Sequence, residues 1–212
     1  MRTTVLAADD IRQIVQRVGL HTLMDELIAR LSTAFKHYDP EKTQIPTRAG
    51  FAYDLPHTGL IEWMPVMSLQ DNVTIKVVGY HPTNPTQHNL PTIISTLSAY
   101  DVCTGHLIGL ADGTFLTALR TGAASALASA VMASPNAKTI GLIGAGVQAV
   151  TQLHALSRLF DFGEVLVYDV NRQVSESFPE RVAFLELDLR VMSAEELPQL
   201  VETVDILCTA TS

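Results

Sequence analysis

Between the apolar run Thr139–Ile143 and an amphipathic stretch that opens at Val147, the chain carries Gly144-Ala145-Gly146-Val147-Gln148-Ala149. Two glycines one residue apart, with an alanine three further on, demand a strand, a tight turn and a helix in immediate succession. The run before them is too short and too branched for a helix. The run after them has apolar positions at helical spacing. A strand that turns straight into a helix needs a second strand parallel to the first, so this one segment commits the surrounding chain to a parallel sheet with helical crossovers.

The same segment is a phosphate cradle. Gly144 allows the turn, Gly146 lets a pyrophosphate approach the backbone, and Ala149 keeps the helix close to the sheet. Free N–H groups at the helix start, including those at Val147 and Gln148, face the phosphates. Asp169 ends the next apolar run, 25 residues after Gly144. A carboxylate there accepts hydrogen bonds from the adenosine ribose hydroxyls and repels a 2′-phosphate. The cofactor expected is therefore NAD. Arg172, three residues on, would soften that preference by pairing with a 2′-phosphate.

The remaining pattern predicts two domains. Near the start, Ile11, Ile14, Val15 and Val18 recur at helical spacing behind an Asp cap, and Leu23, Leu27, Leu31 and Phe35 mark a second helix running to Pro40. Five β-rich runs follow, over 45–53, 60–66, 73–79, 92–100 and 106–111, separated by Gly, Pro, Asn and Asp. Asp112-Gly113 has the chemistry of a hairpin turn. A helix of small residues is expected over 117–134, ending at Ser134-Pro135-Asn136. Strands at 139–143, 165–169, 182–187 and 204–209 then alternate with helices at 147–160, 172–178 and 194–201. The fold class is α/β: an N-terminal α+β domain over 1–134, then an incomplete Rossmann domain over 135–212.

Composition removes several alternatives. A formal charge of −8 on 212 residues disfavours nucleic acid, whose phosphates need clustered Lys and Arg. The longest apolar stretch, 118–133, is interrupted by Arg120 and reads as too short and too polar for a membrane span. Met1 to Asp10 lacks the basic and apolar regions of an export signal, so the cytoplasm is expected. Cys103 and Cys208 lie far apart in apolar runs and read as reduced, buried thiols. The seven histidines show no ligand spacing, so no metal is expected.

Three cations sit in unusual surroundings. Lys76 lies inside Val73-Thr74-Ile75-Lys76-Val77-Val78, Arg120 is the one charge between Thr114 and Ala137, and Arg48 follows Pro46 in a β-like run. Each alone reads as a structural ion pair. Together, in a chain that also binds a dinucleotide, they read as a clamp on a substrate carboxylate. Glu62 by itself reads as a solvated strand residue, and His81, beside Pro82, as a turn residue.

The runs Pro46-Thr47-Arg48, Ile61-Glu62-Trp63-Met64-Pro65, Ile75-Lys76-Val77-Val78 and Leu116-Thr117-Ala118-Leu119-Arg120-Thr121-Gly122-Ala123-Ala124-Ser125, followed by the glycine segment, resemble the ornithine cyclodeaminase/μ-crystallin family in sequence and order. The resemblance extends from about Leu20 onward. It implies that Arg48, Lys76 and Arg120 hold the substrate α-carboxylate, with Lys76 and Arg120 catalytic. Glu62 meets the distal amine in the ornithine-cyclising members. Thr92, Arg120 and Thr211 lie along the cofactor, and Gln148 contacts its pyrophosphate.

The activity implied is conversion of ornithine to proline with loss of ammonia: the α-amine is oxidised to an imine, the distal amine attacks it, ammonia leaves, and the cyclic imine is reduced, with NAD used catalytically. Relatives act as ketimine or pyrroline-2-carboxylate reductases, as alanine dehydrogenases, or, in μ-crystallin-like members, as binding proteins without turnover as their main role. A homodimer is implied as well, with 1–134 as the substrate-binding and dimerisation domain. Family members continue beyond the tip of the fourth Rossmann strand, where this sequence stops, and their general-acid Asp has no counterpart here. The resemblance therefore implies a C-terminally truncated member.

Overall fold

The computed structural model describes residues 2–211. In chain order the elements are β1 (Thr4–Leu6), α1 (Ala8–Val18), α2 (Leu20–Lys36), β2 (Thr43–Gln44), β3 (Ala49–Tyr53), β4 (Gly59–Ser68), β5 (Asn72–Tyr80), α3 (Asn84–Gln87), β6 (Ile93–Asp101), β7 (Leu107–Asp112), α4 (Thr114–Met132), β8 (Thr139–Ile143), α5 (Val147–Ser157), β9 (Glu164–Tyr168), α6 (Arg172–Glu176), α7 (Phe178–Arg181), β10 (Leu189–Val191), α8 (Leu197–Thr203) and β11 (Ile206–Thr209). Contacts divide them into two compact units, Met1–Val18 with Lys36–Thr117 and Gly19–Phe35 with Ala118–Ser212. The sequence changes character at Pro135, whereas the contacts divide inside α4, and α2 joins the second unit.

The first unit is a seven-stranded sheet in the order β1-β7-β6-β5-β4-β2, with β3 also pairing β4. β1 runs parallel to β7, and the other pairs are antiparallel. Because side chains alternate across a strand, the register sorts them onto two faces. Val5 pairs with Leu110, Leu110 with Ser98, Ser98 with Ile75, and Ile75 with Pro65. Trp63, Ile61 and Phe51 continue the same face, where Phe51 and Trp63 approach to 5.5 Å between ring centroids. On this face Val5, Phe51, Ile61, Ile108 and Leu110 remain exposed.

The second unit is a four-stranded parallel sheet in the order β10-β9-β8-β11. Its core is closed. Ile140, Leu142, Leu153, Leu156, Val165, Val167, Phe178 and Leu200 are fully buried on the strands and their crossover helices. α4 packs closely: a Cβ on Gly122 would lie 2.2 Å from the Thr151 carbonyl oxygen, so only glycine fits where α4 meets α5.

Five local readings are corrected. The first helix starts at Ala8, and Asp10, in its first turn, accepts the Ala7 N–H at 2.8 Å; the Asp acts from inside the helix. Asp112-Gly113 joins β7 to α4 and closes no hairpin, because the Asp112 carboxylate accepts the Thr114 N–H and starts the helix. The β6–β7 hairpin turns at 102–106, with Asp101 accepting from Thr104. Residues 183–185 form a 3₁₀ turn, and the third strand is β10, after Glu186 at a left-handed φ of 54°. Cys103 is exposed in the hairpin turn, and only Cys208 is buried.

The fifth concerns α4. It starts at Thr114 and reaches 19 residues, which makes it long and apolar enough to cross a membrane by length and composition. Leu119, Ala123 and Ala126 are buried and Gly122 abuts α5, the packing of a core helix.

Candidate functional site

The dinucleotide loop is built by strand β8 ending on Ile143 and α5 starting at Val147. Gly144 has φ +92°, and a Cβ there would lie 2.6 Å from the Ala210 backbone and 2.9 Å from the Thr211 nitrogen. The turn is thus pressed against the end of β11, which places the Thr211 backbone beside it. A Cβ on Gly146 would meet nothing within 4 Å. Open space therefore lies in front of the α5 N-terminus, where a phosphate group would be received. The Gln148 Oε1 beside it is buried without a hydrogen-bond partner among the described residues. These features fit a pyrophosphate on the loop.

Asp169 follows β9 and is half-buried. Its Oδ2 accepts the Ala145 N–H at 2.7 Å and its Oδ1 accepts the Asn171 N–H at 2.8 Å. Two backbone bonds fix the carboxylate at the mouth of the loop, with further acceptor capacity on each oxygen for a ribose. Arg172 points elsewhere: it pairs with Glu176 one helical turn along, at 2.7 Å, and both are exposed. Sequence reasoning missed Arg181, at the end of α7, whose Nη2 donates to the Ala145 carbonyl and whose guanidinium lies 5.2 Å from the Phe178 ring centroid. No local motif signals it, because 36 residues separate it from the loop it touches.

In the first unit the register brings Glu62 and Lys76 onto one face, opposite the face that carries Trp63. Lys76 pairs with Met64 and Glu62 with Val78 on β4 and β5. Gly50 pairs with Glu62, and Arg48 lies two residues before it. A Cβ on Gly50 would lie 2.3 Å from the Ile61 carbonyl, so glycine lets β3 come close at this point. The Arg48 Nη1 stands 3.8 Å from the Glu62 Oε2, with 66% and 23% of the two side chains exposed. That is a loose ion pair, and it leaves both groups able to exchange for a ligand.

Thr92 precedes β6 and is half-buried, and its carbonyl accepts the His81 N–H at 2.9 Å. The His81 ring is held by the Tyr53 hydroxyl at 2.8 Å to Nε2. Arg120, on α4, is exposed and belongs to the second unit. Among the described residues no group of three or more His, Cys, Asp or Glu side chains gathers as a metal would require. Asp205 is structural: its Oδ2 accepts the Lys138 and Thr139 N–H groups and the Thr139 hydroxyl, tying β8 to the start of β11. Those bonds hold its carboxyl below the usual range.

The family model for the ornithine cyclodeaminase/mu-crystallin family matches residues 9–212, and the chain belongs to that family. An L-lysine cyclodeaminase from Streptomyces rapamycinicus is 43% identical over 213 residues, covering 100% of this chain and 61% of the relative. A solved lysine cyclodeaminase structure, concerned with recognition of L-lysine, L-ornithine and L-2,4-diaminobutyric acid, superposes with TM-score 0.94 at 42% identity, covering 100% of this chain and 61% of that one. The Δ¹-pyrroline-2-carboxylate reductase of Thermococcus litoralis, in complex with NADH and L-proline, gives TM-score 0.86 at 32% identity, covering 98% and 62%. The chain thus spans about three fifths of the length of these relatives.

Proposed function

We propose that this chain supplies the substrate face and the dinucleotide loop of an NAD-dependent cyclodeaminase acting on an α,ω-diamino acid, ornithine or its homologue lysine. The observation that carries this reading is the strand register that sets Glu62 and Lys76 on one sheet face, with Arg48 3.8 Å from Glu62, in a chain 43% identical to a lysine cyclodeaminase. Arg48, Lys76 and Arg120 take the α-carboxylate, and Glu62 takes the distal ammonium. A diamino acid carries both groups, and it satisfies Arg48 and Glu62 better than they satisfy each other at 3.8 Å.

Gly144, Gly146, Val147 and Gln148 receive the pyrophosphate, Asp169 the adenosine ribose, and Thr92 and Thr211 flank the cofactor. When bound, the dinucleotide supplies reversible two-electron oxidation of the substrate's α-carbon–nitrogen bond. The cations fix the α-carbon in position, and the Lys76 charge favours the neutral, reactive form of a nearby amine. A homodimer belongs to the same reading, formed through the apolar sheet face that exposes Val5, Phe51, Ile61, Ile108 and Leu110. The setting proposed is the cytoplasm.

The test uses the whole protein with catalytic NAD and L-ornithine or L-lysine, measuring ammonia and the cyclic amino acid. Lys76→Met and Arg120→Met should each lower kcat/KM at least ~100-fold, since positioning terms are worth several kcal/mol. Glu62→Gln should raise KM for the diamino acid while sparing reduction of a cyclic imine. Near-normal rates in all three variants would remove these residues from the site. A second reading, a cyclic-imine reductase, draws on the likeness to the pyrroline-2-carboxylate reductase. It predicts imine reduction without ammonia release from any diamino acid.

A further inference from the structure

Ala145, the middle residue of the glycine loop, is gripped from both sides. Its N–H is held by Asp169 at 2.7 Å, and its carbonyl accepts from the Arg181 guanidinium. The alanine itself is fully buried, so the loop backbone is the bridge between an acid and a base. Arg181 reaches it from the end of α7, in the crossover that follows the strand carrying Asp169. The guanidinium lies over Phe178, which is fully buried. Its Nε is also buried and has no hydrogen-bond partner among the described residues. Burial lowers its pKa and the nearby Asp169 charge raises it, so the two side chains sense each other.

We infer that Arg181 is a specificity-determining residue of the dinucleotide site, a fixed positive charge that offsets the repulsion between Asp169 and a cofactor 2′-phosphate. The inference rests on the cofactor reading above and adds to it the cation that sets how steeply NADP is rejected. An acid at the end of the second Rossmann strand excludes a 2′-phosphate chiefly by charge. A guanidinium bonded to the same alanine as that acid reduces the negative potential there. The cation that sequence reasoning assigned to this task, Arg172, is engaged with Glu176 on the helix surface.

The experiment is fluorescence titration of the whole protein with NADH and with NADPH, comparing the ratio of the two Kd values across variants. Arg181→Gln removes the charge and retains an N–H donor on a side chain two atoms shorter. The NADPH/NADH Kd ratio should rise ~10-fold in it, as expected for losing one nearby charge in a partly screened site. Arg181→Met, which also removes the donor, should raise the ratio as far while weakening both cofactors. Arg181→Lys keeps the charge and should leave the ratio within ~2-fold of the unaltered protein.

Equal weakening of both cofactors, with the ratio unchanged, would mean that Arg181 only props the loop, and would overturn the inference alone. So would a ratio that moves as far in Arg181→Lys as in Arg181→Gln. Failure of both neutral variants to melt cooperatively would assign Arg181 to folding and overturn it too. Binding of neither nucleotide to the unaltered protein would instead overturn the cofactor reading itself.

Discussion

The two compact units solve the problem of burying apolar surface in different ways. In the second unit, strands β8 and β9 and helix α5 contribute Ile140, Leu142, Leu153, Leu156, Val165 and Val167, all with no exposed surface. In the first, every residue of β5 is half-buried, and β4 has only Gly59 fully buried. Five large apolar side chains on one sheet face remain open to solvent. A parallel sheet is covered by its own crossover helices, because each crossover must pass over a face. Antiparallel strands are joined by turns, and nothing in their connections supplies a cover. The first unit is therefore free to give one face to charged groups and the other to apolar contact, while the second builds a closed core under a single backbone loop.

Truncating a side chain in each unit tests that contrast most directly. Leu156→Ala in the closed core should cost about 2–5 kcal/mol, the usual range for emptying a packed site. Ile61→Ala on the open sheet face should cost under ~1 kcal/mol at low protein concentration, since the side chain already touches water. Chemical denaturation of both variants checks this. A large cost at Ile61 that grows with concentration would show that a second copy covers the face, which sharpens the comparison. Equal costs at every concentration would break it.

The same contrast explains what the sequence made legible. Strand β8 falls where local pattern predicts, and β9 and the start of α5 fall within a residue, because a parallel-sheet strand is a continuous apolar run bounded by glycine. The third strand was misplaced for the opposite reason. Val182, Phe184 and Leu185 look like a buried strand, but Phe184 is used to pack against the rings of His21 and His154 at 5.9 and 5.3 Å. The chain then reverses at Glu186 before β10 begins. Asp112-Gly113 misled because the same Asp-Gly chemistry starts a helix as readily as it turns a hairpin. In the candidate site, the glycine loop and Asp169 were readable from spacing alone. The charges on the sheet face needed strand register to bring them together. Arg181 and the His21–His154 pair rest on contacts between distant segments and leave no local signal.

That histidine pair gives the next prediction. His154 on α5 is 2% exposed and shares a 3.0 Å hydrogen bond between its Nε2 and the Nδ1 of His21 on α2. Also facing it are Arg158, which caps α5, and Asp25 on α2, bonded to each other at 2.7 Å. Burial first, then the charges of His21 and Arg158, push the His154 pKa down from 6.5 to about 4, and Asp25 opposes them weakly. The folded pKa lies below the unfolded one, so the folded state favours the neutral ring. This contribution is fully present above pH 6.5 and is lost as pH falls from 6.5 toward 4. The loss between pH 7.5 and pH 5 should be about 2 kcal/mol. Asp25, held low mainly by its Arg158 hydrogen bond, titrates below that window. His154→Gln should flatten the slope of stability against pH. An unchanged slope would mean that the closed core tolerates a charged imidazole, and that the two units differ less in polarity than in packing.

The smallest expected effect separates two cations in the second unit. Arg172 lies three residues after Asp169 and, on spacing, is the natural partner for a 2′-phosphate. Its side chain is 88% exposed and is engaged with Glu176 on the same helix turn. Solvent screens an exposed pair of this kind, so it contributes little. Arg172→Ala should therefore change the NADPH/NADH Kd ratio by less than ~2-fold and leave the melting temperature unchanged. Asp169→Asn in parallel should narrow the ratio clearly, since it removes the charge that rejects the phosphate while retaining an oxygen for the Ala145 N–H. If Arg172→Ala shifts the ratio as far as Asp169→Asn does, the exposed helix surface takes part in the cofactor site. Specificity in this unit would then extend beyond the buried loop that the closed core supports.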